Sequence, residues 1–315
     1  MNLYPQNVPN NMRMELYVSY KDSSGGILDI PKTISTIALA KHMAIAGQGY
    51  MPHIGKFFRV LGMFLRFKDY MDYRSIKENR FSIPQDYAYD PTEMVQFSNV
   101  IGKAFADYLV KEIDFAKLTF NYEAAMRLQN MQIKGTRPDL LCVCQDGKQI
   151  AVEAKGRKNS KISVNEMQKY KSQAQNGPIP VNSAVASVAY NLYDKVEVKY
   201  YDPESEYFDR DESFLKKLIK AYYGGLCTYL NEHVFNINTK NIGERKYYVL
   251  NFNGIYDISK FNRTHCFICY ERPIAILLDS DIKKFAESGE VDFSMGKVDE
   301  NNLYIDSDGV GMMFY

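Results

Sequence analysis

Hydrophobic positions in the middle of the chain change between the period of a helix and the period of a strand. Residues 92–113 place large apolar side chains three and four positions apart, which predicts a long amphipathic helix. Alternating or continuous apolar runs then predict strands at 117–124, 140–144, 148–155, 181–193 and 195–201. A polar helix is predicted at about 163–176, between the third and fourth of these strands, with Ser163 as its N-cap. We therefore expect an α/β fold.

The two ends of the chain have different patterns. Near the N-terminus, a short strand is predicted around Leu16–Tyr20, and apolar residues at helical spacing predict helices at Lys32–Ile45 and Ile54–Phe67. An amphipathic helix is predicted at Glu212–His233. The last eighty residues favour strands, at Lys246–Phe252, His265–Tyr270 and Ile274–Leu278. These patterns divide the chain into a mainly helical N-terminal region, a core, and a C-terminal helix with a β-rich region, at 1–90, 91–205 and 206–315.

Two acids and a lysine lie on consecutive predicted strands of the core. Thirteen residues separate Asp139 from Glu153, and Lys155 follows Glu153 by two. Carboxylates are hard oxygen ligands that suit Mg²⁺. An ammonium group can orient a water molecule and offset the charge of a phosphate. If the three side chains converge, they can support metal-assisted hydrolysis of a phosphodiester.

The turn between the two strands admits two registers. A two-residue loop, Asp146-Gly147, would pair Gln145 with Lys148. A three-residue loop that ends on Gly147 would pair Cys144 with Lys148 instead. The last position of such a loop takes the left-handed conformation, which glycine adopts most readily.

The register decides whether the three side chains share one face of the sheet. The two-residue loop places Asp139 opposite Ala154, so that its side chain points away from Glu153. The three-residue loop places Asp139 opposite Glu153 on the same face, and strand alternation adds Lys155 to that face. Convergence therefore requires the three-residue loop, or a bulge that restores the register.

The residues Pro138-Asp139 followed by Glu153-Ala154-Lys155 resemble the signature of the PD-(D/E)XK phosphodiesterase superfamily. The superfamily includes restriction endonucleases, recombination nucleases and phage-defence effectors. The resemblance covers the motif and, more loosely, residues 95–200. It implies a restriction-endonuclease-like core, in which helices flank a central mixed sheet. The predicted order of helix, three strands, helix and strand matches that core.

The resemblance also implies an activity and the groups that take part in it. Asp139, Glu153 and Lys155 would be catalytic, and the metal ligands would be Asp139, Glu153 and the backbone carbonyl of Ala154. The activity would be hydrolysis of nucleic acid, mostly DNA, with Mg²⁺ as cofactor and Mn²⁺ as a substitute. A homodimer, or a partner subunit of a restriction or antiviral defence system, would fit such a role.

Further residues are candidates for supporting roles. A third acid often precedes the Pro-Asp strand in such nucleases, and the candidates are Glu123, Asp107 and Glu112. The polar helix could hold phosphates through Gln168, Lys169, Gln173 and Gln175, or could simply be solvated. Two alternatives to a DNA nuclease stay open. One is a non-cleaving subunit that binds nucleic acid on the same fold, and the other is a nuclease for RNA or for branched or single-stranded DNA.

Composition and charge limit the class of protein. The 315 residues are 46% hydrophobic and 24% charged, which excludes a disordered chain and indicates a globular one. The net charge of +1 is uninformative about a polyanionic partner, but residues 134–171 contain nine Lys or Arg against four acids. This basic stretch around the motif favours a phosphate backbone. Residues 279–308 contain nine acids against three bases, and we expect these acids to lie on a solvated surface.

The expected compartment is the cytoplasm. The first residues lack a basic-then-apolar export pattern, and no apolar run reaches the length that spans a membrane. An odd number of cysteines, five, is typical of reduced thiols. No membrane partner is therefore expected.

Overall fold

The structure is a computed structural model. It describes residues 13–22, 24–47, 80–83, 85–201, 211–231, 236–251, 274–292, 294–300 and 302–314. The predicted helix at 54–67 and the predicted strand at 265–270 lie outside the described residues.

A mixed sheet of seven strands forms the centre of the described structure. Its strands are β1 (Arg13–Lys21), β2 (Ile27–Ser35), β3 (Ala116–Asn121), β4 (Leu140–Cys144), β5 (Gln149–Gly156), β6 (Ser183–Tyr190) and β7 (Glu197–Tyr201). Their spatial order is β2-β1-β7-β6-β5-β4-β3. The pairs β1/β7 and β5/β6 are parallel, and the other pairs are antiparallel. The expected mixed α/β class is thus confirmed.

Six α-helices accompany the strands in the described residues, together with short 3-10 helices at Gln85–Tyr89 and Thr228–Asn231. The α-helices are α1 (Thr36–Ile45), α2 (Pro91–Ile113), α3 (Tyr122–Leu128), α4 (Val164–Gln175), α5 (Glu212–Cys227) and α6 (Ile282–Ser288). Helix α2 begins where the Asp90 side chain accepts hydrogen bonds from two backbone N–H groups of the first turn. Helix α4 begins with a capping box between Ser163 and Glu166. These caps explain why both helices start at the predicted positions.

Two predicted boundaries are wrong. Residues 32–35 continue β2 instead of starting a helix, because β2 pairs with β1 along nine residues and Ser35 caps α1. The predicted strand 117–124 ends at Asn121, whose side chain accepts a hydrogen bond from the Ala124 N–H and starts α3. The N-terminal region, predicted as mainly helical, therefore contributes β1 and β2 to the central sheet in addition to α1.

A second sheet occupies the C-terminal part of the chain. Its six strands are β8 (Asn236–Ile242), β9 (Arg245–Asn251), β10 (Ile274–Asp279), β11 (Val298–Glu300), β12 (Leu303–Ile305) and β13 (Val310–Phe314). All of its pairs are antiparallel, in the order β11-β12-β13-β10-β9-β8.

One hydrophobic core joins the two sheets. It contains residues from Met14 of β1 to Met312 of β13, so it includes side chains from all three predicted regions. Helix α1 packs against both α2 and β13, and α2 packs across β5. Helices that are both long and apolar enough to cross a bilayer are absent from the described residues.

Candidate functional site

The β4–β5 hairpin has the register that brings the candidate residues together. The Cys144 N–H donates to the Lys148 carbonyl at 2.8 Å, and the Gly147 N–H donates to the Cys144 carbonyl at 3.0 Å. Gly147 has φ +84°, in the left-handed region. Leu140 pairs with Val152, so continuing the register places Asp139 opposite Glu153. The three-residue loop is therefore confirmed, and the two-residue alternative is excluded.

Asp139 is held by backbone contacts on both sides. Its N–H donates to the Val152 carbonyl at 3.0 Å, and its carbonyl accepts from the Tyr122 N–H at 3.1 Å. Its side chain turns toward β5, where Oδ2 accepts from the Ala154 N–H at 3.2 Å and lies 3.4 Å from Lys155 Nζ. The carboxylate thus has a fixed position at the end of the hairpin.

Glu153 is the buried member of the site. Its side chain is 0% exposed, and its Oε1 lies 2.5 Å from Lys155 Nζ. Lys155 takes one acceptor position of Oε1, and Oε2 has no hydrogen-bond partner among the described residues. A buried carboxylate with unfilled acceptor positions is costly unless a cation completes it.

The surroundings shift the pKa of both Glu153 and Lys155. Burial raises the pKa of Glu153 to about 7, the Asp139 carboxylate adds to the rise, and Lys155 and Lys103 oppose it. Burial alone would lower the pKa of Lys155, but Asp139 and Glu153 raise it above its ordinary value. At neutral pH, Lys155 is therefore an ammonium group that donates hydrogen bonds.

The backbone of Ala154 also faces the site. A residue in an extended strand directs its N–H and its C=O to the same edge. Because the Ala154 N–H contacts the Asp139 side chain, the Ala154 carbonyl lies on the same edge of β5, which faces Asp139. The position suits the carbonyl ligand that the sequence motif implies.

Sequence reasoning missed a second lysine at this site. Lys103 Nζ lies 3.2 Å from Asp139 Oδ1. Helix α2 reaches this point because its glycine, Gly102, lies directly against the β5 backbone. A Cβ at Gly102 would lie 2.5 Å from the Lys155 carbonyl carbon. On the strand side, a Cβ at Gly156 would overlap the backbone carbonyl oxygen of Ser98. A glycine inside a long helix, next to a lysine, is the sequence signal that could have indicated this contact.

The three acids considered as a third ligand do not join the site. Glu123 pairs with Arg137, and Glu112 pairs with Lys297. Asp107 is buried in a different cluster. The polar side chains expected on α4 include exposed ones, Gln168, Lys169 and Gln175, and the half-buried Gln173. Among the described residues, Asp139 and Glu153 belong to no group of three potential metal ligands within 4.8 Å of one another.

A second group of charged side chains is fully buried where α1, α2 and the β12–β13 turn meet. This buried ionic cluster consists of Lys41, His42, Asp107, Lys111, Asp306 and Asp308. The expectation that the C-terminal acids lie on a solvated surface is thus wrong for Asp306 and Asp308. They are buried because two lysines from distant segments reach them.

The two lysines bind the acids directly. Lys41 Nζ lies 2.5 Å from Asp306 Oδ2 and 2.7 Å from Asp308 Oδ2. Lys111 Nζ lies 2.8 Å and 3.0 Å from the same two oxygens, and 3.3 Å from Asp107 Oδ1. Burial opposes the charge of Lys111, but its three carboxylate partners raise its pKa well above the ordinary value. The cluster is therefore an ion-pair network.

The same cluster contains a set of potential metal ligands. His42 Nδ1 lies 2.6 Å from Asp107 Oδ2, and His42 Nε2 lies 3.0 Å from the Tyr304 hydroxyl. Ligand atoms of His42, Asp107 and Asp306 lie within 4.8 Å of one another, so this set could hold a metal ion. The acids, however, already have ammonium partners within the chain, and the cluster has no exposed side chain that a polymeric substrate could reach. We therefore place the candidate active site at Asp139, Glu153 and Lys155.

The raised pKa of Glu153 predicts a pH-dependent effect of Glu153→Gln on stability. The folded carboxyl group releases its proton at about pH 7, whereas the unfolded group does so near 4.5. Ionisation therefore destabilises the folded state as pH rises through this interval, and glutamine does not ionise. As the pH rises from 5 to 8 in EDTA, the unfolding free energy of Glu153→Gln should increase by about 2–3 kcal/mol relative to that of the unsubstituted protein. Urea unfolding at the two pH values measures this gain.

Glu123→Gln provides the matched control, because it removes a partly exposed carboxylate from the neighbouring helix α3. Its effect on stability should change little between pH 5 and pH 8. An equal change in both variants would show that Glu153 ionises as a surface carboxylate does.

The comparisons with known proteins leave the site to be interpreted from its own chemistry. No protein-family model, curated protein or solved structure matches the chain. The likeness to the PD-(D/E)XK superfamily therefore depends on the residues of the motif and on their arrangement at the end of the β4–β5 hairpin.

Proposed function

We propose that the protein hydrolyses DNA phosphodiester bonds in a Mg²⁺-dependent reaction, as an endonuclease. The observation that carries this proposal is the convergence of Asp139, Glu153 and Lys155 at the open end of the β4–β5 hairpin. Two acids and a lysine recur in metal-dependent phosphodiester hydrolysis because the three groups can bind a hard cation and stabilise phosphate charge.

The donor set fits Mg²⁺. Asp139 and Glu153 offer carboxylate oxygens, and Ala154 offers a carbonyl on the same edge of β5. The buried Oε2 of Glu153, which has no hydrogen-bond partner among the described residues, would be completed by a cation. When bound, Mg²⁺ would polarise the phosphate and lower the pKa of a coordinated water molecule.

Lys155 acts on the reacting groups as an ammonium donor. Its raised pKa favours positioning of the attacking water and stabilisation of phosphate charge over removal of a proton from that water. In the reaction, a bond forms between the water oxygen and phosphorus, and the bond between phosphorus and the leaving sugar oxygen breaks. The attacking water loses one proton and the leaving oxygen gains one, so the products are a phosphate monoester and a hydroxyl end.

Part of the basic stretch at 134–171 is paired with acids, and part is exposed and can contact a polyanionic substrate. Three bases of the basic stretch, Arg137, Lys148 and Arg157, form ion pairs with Glu123, Asp146 and Glu166. Lys158, Lys161 and Lys169 are exposed and lie in the segment that follows β5. These lysines can contact a phosphate backbone. We place the protein in the cytoplasm, where it would act on DNA as a homodimer or with a partner subunit.

A substrate panel tests the proposed function. The purified protein is incubated with double-stranded, single-stranded and branched DNA and with RNA, each with Mg²⁺, with Mn²⁺ and with EDTA. We expect cleavage of DNA with either metal and none in EDTA. Glu153→Gln should abolish cleavage, and Glu123→Gln should retain it.

Other outcomes would point to the alternatives. Preferential cleavage of RNA would replace DNA as the substrate and leave the metal-dependent chemistry in place. Binding without cleavage, unaffected by Mg²⁺ and by Glu153→Gln, would contradict the nuclease proposal and identify a binding subunit.

A further inference from the structure

Lys103 gives the site a second positive charge from a separate structural element. It lies on α2, next to Gly102, where the helix contacts the β5 backbone. This contact leaves no room for a side chain at Gly102, so α2 packs directly on the β5 backbone. Lys103 is therefore held beside Asp139 by the packing of a helix on a strand.

The two lysines bind different oxygens of the same carboxylate. Lys103 Nζ lies 3.2 Å from Asp139 Oδ1, and Lys155 Nζ lies 3.4 Å from Oδ2. The side chains of Lys103 and Lys155 are 33% and 32% exposed, whereas Glu153 is 0% exposed. Glu153 thus forms the inner side of the site, Asp139 is partly exposed at 21%, and the ammonium groups are the most exposed groups that an incoming phosphate meets.

The charges at the site limit how many metal ions it can hold. Two carboxylates are already balanced by two ammonium groups. A third acid within ligand distance is lacking among the described residues. One Mg²⁺ would leave the site with a net charge of +2, which suits a phosphate diester and its transition state. A second Mg²⁺ would have to displace Lys103 from Asp139 against the repulsion of the first.

We propose that the site binds a single divalent cation, and that the ammonium group of Lys103 takes the place of a second metal ion by contacting a non-bridging oxygen of the scissile phosphate. This inference rests on the proposed function. It distinguishes the site from two-metal sites, in which a pair of cations stabilises both the attacking and the leaving oxygen.

The number of bound ions and the rate of cleavage test the proposal together. Titration calorimetry with Mn²⁺ should give one ion per chain, both in the unsubstituted protein and in Lys103→Met. Lys103→Met should slow DNA cleavage about 10²–10³-fold at saturating Mn²⁺, because it removes one charge that stabilises the transition state. Lys103→Arg, which keeps the positive charge, should cleave DNA at most of the normal rate. The control Lys220→Met removes an exposed lysine of α5 and should cleave normally.

The outcomes separate this inference from the proposed function. Two Mn²⁺ ions per chain that are both lost in Glu153→Gln, or a Lys103→Met rate within about twofold of normal, would overturn the role of Lys103 while leaving a metal-dependent nuclease. Should Lys103→Met fail to fold, the ion count of the unsubstituted protein still decides. Absence of both Mn²⁺ binding and cleavage in the unsubstituted protein would overturn the proposed function itself.

Discussion

Replacing Lys155 by alanine is expected to slow Mg²⁺-dependent DNA cleavage by about 10²–10³-fold while the fold is retained. Lys155 Nζ contacts both acids of the site, at 2.5 Å from Glu153 Oε1 and 3.4 Å from Asp139 Oδ2. It is also partly exposed, so it can reach a phosphate. The loss should appear in kcat under saturating Mg²⁺, because in the proposed reaction the ammonium group would stabilise the charge that develops. Single-turnover cleavage of a labelled duplex measures this rate.

Two further variants separate the chemistry of Lys155 from its charge. Lys155→Arg keeps the positive charge but changes the shape of the donor group, so its rate should lie between those of alanine and lysine. Lys148→Ala removes an exposed lysine of the same hairpin, which pairs with Asp146, and should cleave normally. Full Mg²⁺-dependent cleavage by Lys155→Ala would show that the active site has been assigned to the wrong residues.

The arrangement of the site could be predicted from the sequence because local geometry determines it. A single glycine, Gly147, takes the left-handed conformation at the third position of the turn. This turn sets the register, and the alternation of strand side chains then places Asp139 and Glu153 on one face. Helix α4 was predicted for a similar reason, since Ser163, which caps it, is adjacent to it in sequence.

Features that depend on distant segments were not predictable in this way. The sequence shows that α2 contains Lys103, but not that Gly102 lets the helix approach β5 closely enough for Lys103 to contact Asp139. The parallel pairing of β1 with β7 joins residues 180 positions apart. Such pairings are set by tertiary packing and leave little trace in local periodicity.

The buried ionic cluster shows the same limit most clearly. An excess of acids near the C-terminus indicates a solvated surface by composition alone, yet Asp306 and Asp308 are buried against Lys41 and Lys111. The cluster joins residues from the three predicted regions at one point: α1 from the N-terminal region, α2 from the core and the β12–β13 turn from the C-terminal region. The regions are therefore coupled by charge as well as by their shared hydrophobic core.

Lys111→Met is expected to lower the free energy of unfolding by about 3–5 kcal/mol. Methionine has a similar length and fills the space left by the lysine stem, so the cost arises from charge and not from a cavity. The substitution leaves Asp107, Asp306 and Asp308 buried with fewer positive partners, and Lys41 contacts only the last two. Single domains are commonly stable by about 5–15 kcal/mol, so this loss is a large fraction of the total. Urea unfolding followed by circular dichroism measures it.

Two comparisons attribute the loss to unpaired charge. Lys216→Met breaks an exposed ion pair with Glu290 and should cost at most about 1 kcal/mol. Adding Asp308→Asn to Lys111→Met removes one of the carboxylates left with fewer partners, and should recover part of the stability that the single variant loses. If Lys111→Met costs no more than Lys216→Met, the buried acids do not depend on Lys111 for their charge balance, and Lys111 does not couple α2 to the C-terminal region.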